Sequence, residues 1–180
     1  GYEGEKAVVE VYANSASVRL LLNGKEIANK PVKKYKTLFK LPYQPGTLTA
    51  EALDERGNVI SSHSLTTAGE ETVLGGTPDK MVLCANNQSL CYLPIEFTDK
   101  AGNLKPYMEQ LVEVAVAGAA TLAGFGSALC KTNEVFDKPY HHSYRGRCLA
   151  VLRAGSTPGK AKVTVTSAGM EPVTIEVEVQ

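Results

Sequence analysis

The chain has 180 residues and a formal net charge of zero, from 19 basic and 19 acidic side chains. Its hydrophobic share of 43% is typical of a folded protein, which excludes wholesale disorder. No window approaches about 18 consecutive apolar residues, which excludes a membrane-spanning helix. The zero net charge argues against a nucleic-acid-binding protein, which needs a basic face. No charged-then-apolar leader stands at Gly1, so we expect any export signal to belong to a longer precursor.

Glycine and proline residues interrupt the strand-like pattern between residues 68 and 78, and this is the most favourable domain boundary. We therefore predict a first module over residues 1–70, a linker over residues 71–78 and a second module over residues 79–180. Pieces of this size can each enclose a core, the smaller one only marginally.

Apolar and polar residues alternate with a period of two in nearly every patterned segment. Because successive side chains of a strand point to opposite faces, this pattern predicts sheets with one buried and one solvated side. Long helical periodicity is absent, so the chain is predicted to be all-β. The predicted buried faces, in chain order, are Val9, Val11 and Ala13; Val18, Leu20 and Leu22; Leu48, Ala50 and Ala52; Leu93, Ile95 and Phe97; Val112, Val114 and Val116; and Val173, Ile175, Val177 and Val179.

The turn signals agree with this pattern. Asn23-Gly24 lies between two strand-like runs, and both residues tolerate the positive φ of a type I′ hairpin. The segments 54–58 and 99–103 share the sequence Asp-x-x-Gly-Asn, which predicts hairpin loops; they lack the further oxygen ligands of a calcium site. Pro94 interrupts a strand-like run and cannot donate to a ladder, so we expect an edge or a bulge there. Short strands with turns at this spacing predict β-sandwiches.

Two motifs could be mistaken for chemical sites. His141 and His142 are adjacent, but neighbouring residues of an extended chain point in opposite directions, which disfavours a shared metal ion. The segment Gly124-Phe-Gly-Ser127 resembles the start of a phosphate loop, yet no helical period follows it, so a glycine-rich loop leaving a strand is favoured. We therefore predict no metal site, no cofactor and no catalytic residue in this chain.

Cysteines and lysines leave alternatives open. Cys84, Cys91, Cys130 and Cys148 form no C-x-x-C motif, and free thiols are favoured over a Cys130–Cys148 or Cys84–Cys91 disulfide. The lysines between residues 30 and 40 could attract an acidic polysaccharide or nucleic acid, but a solvated loop beside a strand edge is the favoured interpretation.

The alternating pattern breaks over Phe125–Arg147, for about twenty residues, which is longer than an ordinary hairpin connection. This segment concentrates aromatic and arginine side chains, the types that anchor interfaces. We predict an interface here; the alternative is that the aromatic side chains cover the open end of the second sandwich. The candidate interface residues are Phe136, Tyr140, His141, His142, Tyr144, Arg145 and Arg147.

Several segments resemble a known family. In the first half these are Ser17-Val-Arg-Leu-Leu-Leu-Asn-Gly-Lys25, Leu41-Pro-Tyr-Gln-Pro-Gly-Thr-Leu-Thr-Ala50 and Thr66-Thr-Ala-Gly69. In the second half they are the segments 90–103, 124–127, 144–155 and 162–169. The two halves are similar to two successive C-terminal modules of bacterial glycoside hydrolase family 2 enzymes of the β-galactosidase type.

The resemblance implies an all-β fold of two tandem immunoglobulin-like β-sandwich domains. It implies a non-catalytic accessory region that supports or shapes a catalytic barrel lying upstream, with the barrel and the N-terminal domains of the same parent chain as its partners. The family's catalytic glutamates lie on that barrel, so the resemblance assigns no catalytic residue here. It also implies a periplasmic or secreted protein.

The alternative is a carbohydrate-binding or cell-surface adhesion module, with a polysaccharide as partner. Sugar binding usually needs exposed aromatic platforms. The chain has no Trp, and we expect several of its eight Tyr and four Phe side chains to lie in the core. This scarcity of aromatic platforms favours the accessory region.

Overall fold

Residues 2–180, described by a computed structural model, fall into two compact units. The first unit ends at Thr67, and the second runs from Ala68 to Gln180. All regular elements in this range are β-strands, fifteen in number, so the all-β prediction is confirmed. Within residues 2–180 no helix is long and apolar enough to cross a membrane.

The first unit contains six strands in two sheets. β1 pairs with β4, and the other four strands form a sheet in the order β3-β2-β5-β6. The strands are β1 (Lys6–Tyr12), β2 (Ser17–Leu22), β3 (Lys25–Pro31), β4 (Lys36–Pro42), β5 (Thr47–Leu53) and β6 (Val59–Thr66).

A small core joins these two sheets. Val18 and Leu20 from β2 and Phe39 from β4 are fully or almost fully buried, and the predicted inward face of β1 packs against them. The hairpin between β2 and β3 turns at Asn23 and Gly24, whose φ angles are 51° and 78°, as the sequence predicted. The edge strand β6 differs from its neighbours because every one of its residues is exposed.

The second unit contains nine strands in two sheets. The larger sheet has the order β12-β10-β14-β15-β8, in which only β15 and β8 run parallel, and the smaller has the order β11-β13-β9-β7. The strands are β7 (Val73–Gly76), β8 (Val82–Leu83), β9 (Leu90–Thr98), β10 (Leu111–Gly118), β11 (Ala120–Gly126), β12 (Tyr140–His142), β13 (Arg147–Ala154), β14 (Gly159–Ser167) and β15 (Val173–Val179).

The core of the second unit lies between these sheets, as in a β-sandwich. The alternating sequence predicted its inward faces correctly: Leu93, Ile95 and Phe97 from β9 are at most 1% exposed. Val112 and Val114 from β10 face the same core. Ile175, Val177 and Val179 from β15 are buried, and Val173 at the start of the strand is partly buried.

The predicted linker over residues 71–78 is wrong. Val73–Gly76 forms the edge strand β7, which pairs antiparallel with β9, and the boundary between the two units falls earlier, between Thr67 and Ala68. The glycines misled the prediction, because Gly75 and Gly76 belong to a strand. A Cβ at Gly76 would approach the side chains of Ile175 and Leu93 at 3.0 and 3.2 Å, so the strand runs close to the core.

Pro94 lies in an interior strand, between β13 and β7, where the sequence predicted an edge or a bulge. Its carbonyl accepts a hydrogen bond from Thr77, just beyond the end of β7. In an antiparallel strand the backbone nitrogen and carbonyl of one residue point toward the same neighbouring strand. The nitrogen of Pro94, which has no hydrogen to donate, therefore points toward the side of β7, at the edge of the sheet. The ladder between β9 and β13 is therefore unaffected.

Candidate interface and cavity of the second unit

The connection from β11 to β13, predicted as an irregular segment, contains the short strand β12. Its first part, residues 127–139, is called here the crossing segment. The backbone NH of Phe125 in β11 donates to the carbonyl of Phe136 at 2.8 Å, and that of Val114 in β10 donates to the carbonyl of Pro139 at 2.8 Å. β11 and β10 belong to different sheets, so the crossing segment is attached to both.

Glu134, in the crossing segment, binds both histidines of β12. Its carboxylate lies 2.7 Å from Nδ1 of His142 and 3.3 Å from Nδ1 of His141. It also accepts two hydrogen bonds of 3.2 Å from the backbone NH of His142. One carboxylate thus fastens the crossing segment to the edge strand of the larger sheet.

The position of Glu134 affects its ionisation. Partial burial by itself raises the pKa of this carboxyl group. Hydrogen bonds from His142 and the charges of both histidines together lower the pKa by more than burial raises it, so the pKa lies below its usual range. The carboxylate is therefore charged at neutral pH. Within the described part of the chain, no group of three His, Cys, Asp or Glu side chains is arranged to hold a metal ion.

His141 is fully buried and has aromatic neighbours on two sides. Its ring is stacked on Phe136, with centroids 5.7 Å apart, and meets Phe125 edge-on at 6.4 Å. Its Nδ1 lies 2.8 Å from the carbonyl of His142 and next to Glu134, both acceptors, so Nδ1 carries a proton. Among the buried side chains of residues 2–180, only Nε2 of His141 and Oγ of Ser127 have no hydrogen-bond partner.

An apolar cavity of about 540 Å³ lies beside this cluster, on the outer face of the smaller sheet. The outward side chains of Leu149 and Val151 in β13 and the ring of Phe136 line it. Other parts of its lining come from Pro94, Gly124, Phe125, Gly126, Ser127, Ala128, Arg147 and Cys148. The lining contains no carboxylate, and its one charged side chain is that of Arg147.

Gly126 makes room for Phe136. A Cβ at Gly126 would overlap the edge of the Phe136 ring, whereas a Cβ at Gly124 would meet only the carbonyl oxygen of Phe136, at 3.7 Å. The glycines that resembled a phosphate loop therefore lie in β11, and one of them seats an aromatic ring. The predicted glycine-rich loop is instead the end of β11, which the chain leaves only at Ser127, and no helix follows in residues 2–180, which agrees with rejecting a phosphate loop.

The other candidate interface residues lie in β12, at the start of β13 and in the turn between these strands. Tyr140 is 48% exposed on β12. Tyr144 and Arg145 lie in a tight turn, where the Arg145 guanidinium is 5.4 Å from the centre of the Tyr144 ring. Arg147 lines the cavity and donates to Glu96 at 2.8 Å. The structure thus joins His141 and His142 through Glu134 and stacks Phe136 on His141. Arg147 and Phe136 line the same cavity, and Tyr144 exchanges two backbone hydrogen bonds with Arg147.

Sequence reasoning missed three residues of this region: Glu134, Ser127 and Cys148. The sequence does place the acidic Glu134 eight positions before His142, but the segment between them has no alternating pattern that predicts their contact. Ser127 was noted only as part of a glycine motif. Cys148 is inward on β13, where its alternation with Ala150 and Leu152 could have predicted burial.

All four cysteines are free thiols, which agrees with the favoured prediction. Cys84 and Cys130 are exposed, whereas Cys91 and Cys148 are buried. Burial, aided by the charge of Glu134, raises the pKa of the Cys148 thiol to about 12. Burial also raises the pKa of Cys91. Both buried thiols are therefore protonated and unreactive at neutral pH.

The lysines between residues 30 and 40 do not form one solvated loop: Lys30 lies in β3, Lys36 and Lys40 lie in β4, and only Lys33 and Lys34 lie in the connection. Lys36 forms a 2.9 Å ion pair with Glu10 of β1. The Lys30 ammonium lies 5.1 Å from the centre of the Phe39 ring and donates to the carbonyl of Leu38 at 2.8 Å. Two of the lysines are thus occupied by neighbours within the unit.

Comparison with known proteins identifies several similar glycosidases from Bacteroides species. The chain is 30% identical over 180 residues to the β-galactosidase BoGH2A of Bacteroides ovatus, a match that covers 98% of the chain and 21% of that protein. A solved glycosyl hydrolase family 2 member from Bacteroides cellulosilyticus is 28% identical, with a TM-score of 0.91, over 100% of this chain and 24% of that one. A β-glycosidase from Bacteroides vulgatus, at 23% identity and a TM-score of 0.91, has the same fold over 99% of this chain and 23% of its own.

The chain therefore spans about a fifth to a quarter of the length of these relatives. A domain family of unknown function, DUF4982, matches residues 4–61. The family described as glycoside hydrolase family 2 C-terminal domain 5 matches residues 74–176, more than half of the chain. The resemblance drawn from the sequence is confirmed, and the protein belongs to the glycoside hydrolase family 2 C-terminal domain 5 family.

Proposed function

We propose that this chain is a non-catalytic accessory region of a larger, β-galactosidase-like family 2 glycosidase, and that it supports or shapes the parent's catalytic barrel. The observation that carries the proposal is the alignment of nearly the whole chain with only 21% of a β-galactosidase. The cavity of the second unit supports it, because its lining has no carboxylate, whereas glycoside hydrolysis ordinarily uses two. The partners are the barrel and the N-terminal domains of the same parent chain.

A direct assay tests this proposal. The 180-residue chain should show no turnover of a nitrophenyl β-galactoside above a buffer blank, whereas the full parent enzyme should hydrolyse it. Activity that persists through a second purification and elutes with the 180-residue chain would contradict the proposal. A parent enzyme without glycosidase activity would contradict its other half.

The candidate interface supplies the proposed contact with the parent. Tyr140 and Arg145 are exposed, and Arg145 contacts mainly the neighbouring Tyr144 ring. Changing both residues to alanine should leave the melting temperature of the 180-residue chain nearly unchanged and lower that of the full parent. If the 180-residue chain loses as much stability as the parent, these residues serve packing within the unit.

A periplasmic or secreted location is part of the same proposal. It rests on relatives that are glycosidases of Bacteroides species. Cell fractionation of an organism that carries the parent gene tests it, because the parent should appear with periplasmic or culture-medium markers.

One observation favours the second candidate, a carbohydrate-binding module. Three of the aromatic residues, Phe39, Phe97 and Phe125, lie in the core as expected, but none of the eight tyrosines of the described chain is buried. Tyr12, Tyr35 and Tyr107 are each 68% exposed and could stack on sugar rings. Co-sedimentation with insoluble polysaccharides distinguishes the candidates, since an accessory region that only contacts its parent stays in the supernatant.

A further inference from the structure

The connection between β3 and β4 is a tight turn with two residues in a left-handed conformation. Lys33 and Lys36 exchange two backbone hydrogen bonds, of 3.0 and 3.1 Å, around Lys34 and Tyr35. The φ angles of these central residues are 51° and 63°. Such a turn favours asparagine and glycine, which the Asn23–Gly24 turn has. A lysine and a tyrosine hold these positions at a cost in folding free energy, and strained residues of this kind are concentrated at functional sites.

The turn carries two positive charges that are free to bind a ligand. The side chains of Lys33 and Lys34 are exposed, and neither forms an ion pair with any of residues 2–180. Lys36, in contrast, is paired with Glu10. A groove of about 410 Å³ lies beside the turn, and its lining contains no carboxylate. The lining residues are Pro31, Lys33, Lys34, Lys36, Thr37 and Leu38.

Two exposed aromatic rings lie next to these charges. Tyr35 is 68% exposed, which leaves it little packing to offset its strained backbone. Tyr12 of β1 is equally exposed, although its hydroxyl donates to Glu10 at 2.9 Å and the Lys36 ammonium lies 5.3 Å from its ring centre. The backbone NH of Ala13 donates to the carbonyl of Tyr35 at 3.0 Å, so the two tyrosines lie on neighbouring stretches of chain. Because contacts already hold the Tyr12 ring, it loses little conformational freedom when a ligand stacks on it.

The combination of charges and rings restricts the ligand. Two free ammonium groups attract an anion, and the exposed rings offer apolar faces on which a sugar ring stacks. A nucleic acid is disfavoured, because its binding uses many more phosphate contacts than two lysines supply and the chain has no net positive charge. A neutral sugar makes no use of the ammonium groups.

We propose that Lys33, Lys34, Tyr35 and Tyr12 form a binding site for an acidic polysaccharide, whose sugar rings carry carboxylate or sulfate groups. The two tyrosines stack on sugar rings, and the ammonium groups of the two lysines pair with the anionic groups. This inference rests on the second candidate function, carbohydrate binding, and adds to it the charge of the ligand and the place where it binds. It is compatible with an accessory role, because the site is in the first unit whereas the candidate interface is in the second.

The test compares short oligosaccharides that differ in charge. Tetragalacturonate carries carboxylates, a carrageenan tetrasaccharide carries sulfates, and galactotetraose is neutral. In ¹H–¹⁵N NMR titrations of the 180-residue chain at low ionic strength, at least one of the charged oligosaccharides should bind saturably and shift the amides of Tyr12 and of residues 33–37. It should bind at least about tenfold more tightly than galactotetraose, and added sodium chloride should weaken its binding. The tighter of the two charged oligosaccharides identifies the anionic group.

A variant that restores the preferred turn residues separates binding from folding. Lys34→Asn combined with Tyr35→Gly should maintain or raise the melting temperature, because it relieves the strain of the turn. It should weaken binding of the charged oligosaccharide by about tenfold or more. The control combines Lys25→Asn with Tyr107→Ala, which removes one exposed lysine and an equally exposed tyrosine away from the turn. It should leave the affinity unchanged.

The proposal is overturned if neither charged oligosaccharide binds saturably, if galactotetraose binds as tightly, or if the double variant at the turn keeps its affinity. A clear fall in the melting temperature of that variant would also overturn it, because Lys34 and Tyr35 would then serve the fold. Tighter binding of tetrathymidylate at the same amides would overturn it in favour of a nucleic-acid site.

These outcomes are distinct from those that test the proposed function. Binding of the chain to insoluble neutral polysaccharides without binding to either charged oligosaccharide would retain the second candidate function and reject this site. None of the titrations involves the parent enzyme, so their failure leaves the accessory role and its galactoside assay unaffected.

Discussion

The carboxylate of Asp99 accepts a hydrogen bond of 2.8 Å from the backbone NH of Gly69, thirty residues earlier in the chain. The same carboxylate closes its own loop through the backbone NH groups of Ala101 and Asn103 and the Asn103 side chain. A hairpin loop of the second unit thereby holds the first residues of that unit in place. These hydrogen bonds, led by the one from the Asn103 side chain, lower the pKa of Asp99 to about 2.

Asp54 provides a matched control, because it closes the other Asp-x-x-Gly-Asn loop with the same bonds to residues two and four positions ahead but has no remote partner. We expect Asp99→Ala to destabilise its unit more than Asp54→Ala destabilises the first unit. Chemical denaturation with a probe in each unit measures both losses. Equal losses would mean that the bond to Gly69 contributes nothing.

The lowered pKa of Asp99 predicts a pH dependence. A carboxyl group whose pKa is lower in the folded state contributes stability above its ordinary pKa of 3.8 and loses that contribution as pH falls through about 2. Between about pH 4 and pH 2 the second unit should therefore lose more stability in the unsubstituted 180-residue chain than in the Asp99→Ala variant. Melting temperatures across this range test the prediction, and parallel curves for the two proteins would contradict it.

A charged side chain in the core of the second unit should strongly destabilise it. Val177 is 1% exposed on β15, and an uncompensated buried charge costs roughly 3–5 kcal/mol. Val177→Asp should lower the free energy of unfolding by about that amount. Thr174→Asp on the solvated face of the same strand should cost about 1 kcal/mol or less. Similar losses for the two variants would refute the assignment of the faces.

Gly126 and Gly124 form another matched pair. Gly126→Ala should displace the Phe136 ring from its stack on His141, and an aromatic pair is worth about 1 kcal/mol. Gly124→Ala meets only ordinary contacts and should be neutral or slightly stabilising. Thermal unfolding gives the energies, and ring chemical shifts of Phe136 report its position. If Phe136 keeps its position in Gly126→Ala, the space between Gly126 and the Phe136 ring is larger than the structure indicates.

The cysteines should differ in reactivity. Iodoacetamide at pH 8 should alkylate Cys84 and Cys130 quickly in the folded chain, while Cys91 and Cys148 react only after denaturation. Peptide mass spectrometry before and after adding denaturant distinguishes the four sites. Protection of Cys130 or Cys84 that a reductant removes would reveal a disulfide with Cys148 or Cys91.

Much of the fold could be predicted from local alternation, because strands such as β9, β10 and β15 each have one buried face with a strict period of two. The period cannot show which strands are neighbours, and it failed where glycine replaced a side chain, so β7 was taken for a linker. Lys105 shows a further limit. It is 1% exposed, and its ammonium donates to the carbonyl of Glu70 and to Oγ1 of Thr72, at 2.6 and 2.9 Å. No local pattern indicates that a lysine beside a proline is buried.

The candidate site could be predicted only in outline. The break in alternation indicated where the chain leaves β11, but of the aromatic residues there only Phe125 and Phe136 line the cavity, whereas Tyr140 and Tyr144 do not. Residue type alone could not separate His141, which is buried, from His142, which is 55% exposed at its side chain. That difference depends on the pairing of β12 with β10 and on the position of Glu134, both of which involve residues distant in sequence.

The exposed edge strand β6 has a consequence for handling the protein. One side of its backbone has no partner within its sheet, and none of its residues is a lysine or a proline, the usual means of preventing intermolecular strand pairing. Val59, Ile60 and Leu65 add exposed apolar surface to the same strand. We expect aggregation of the isolated chain in concentrated solution to begin at this edge. A lysine in place of Ser62, which pairs across the strand with Glu51, is the simplest change to keep the isolated chain soluble.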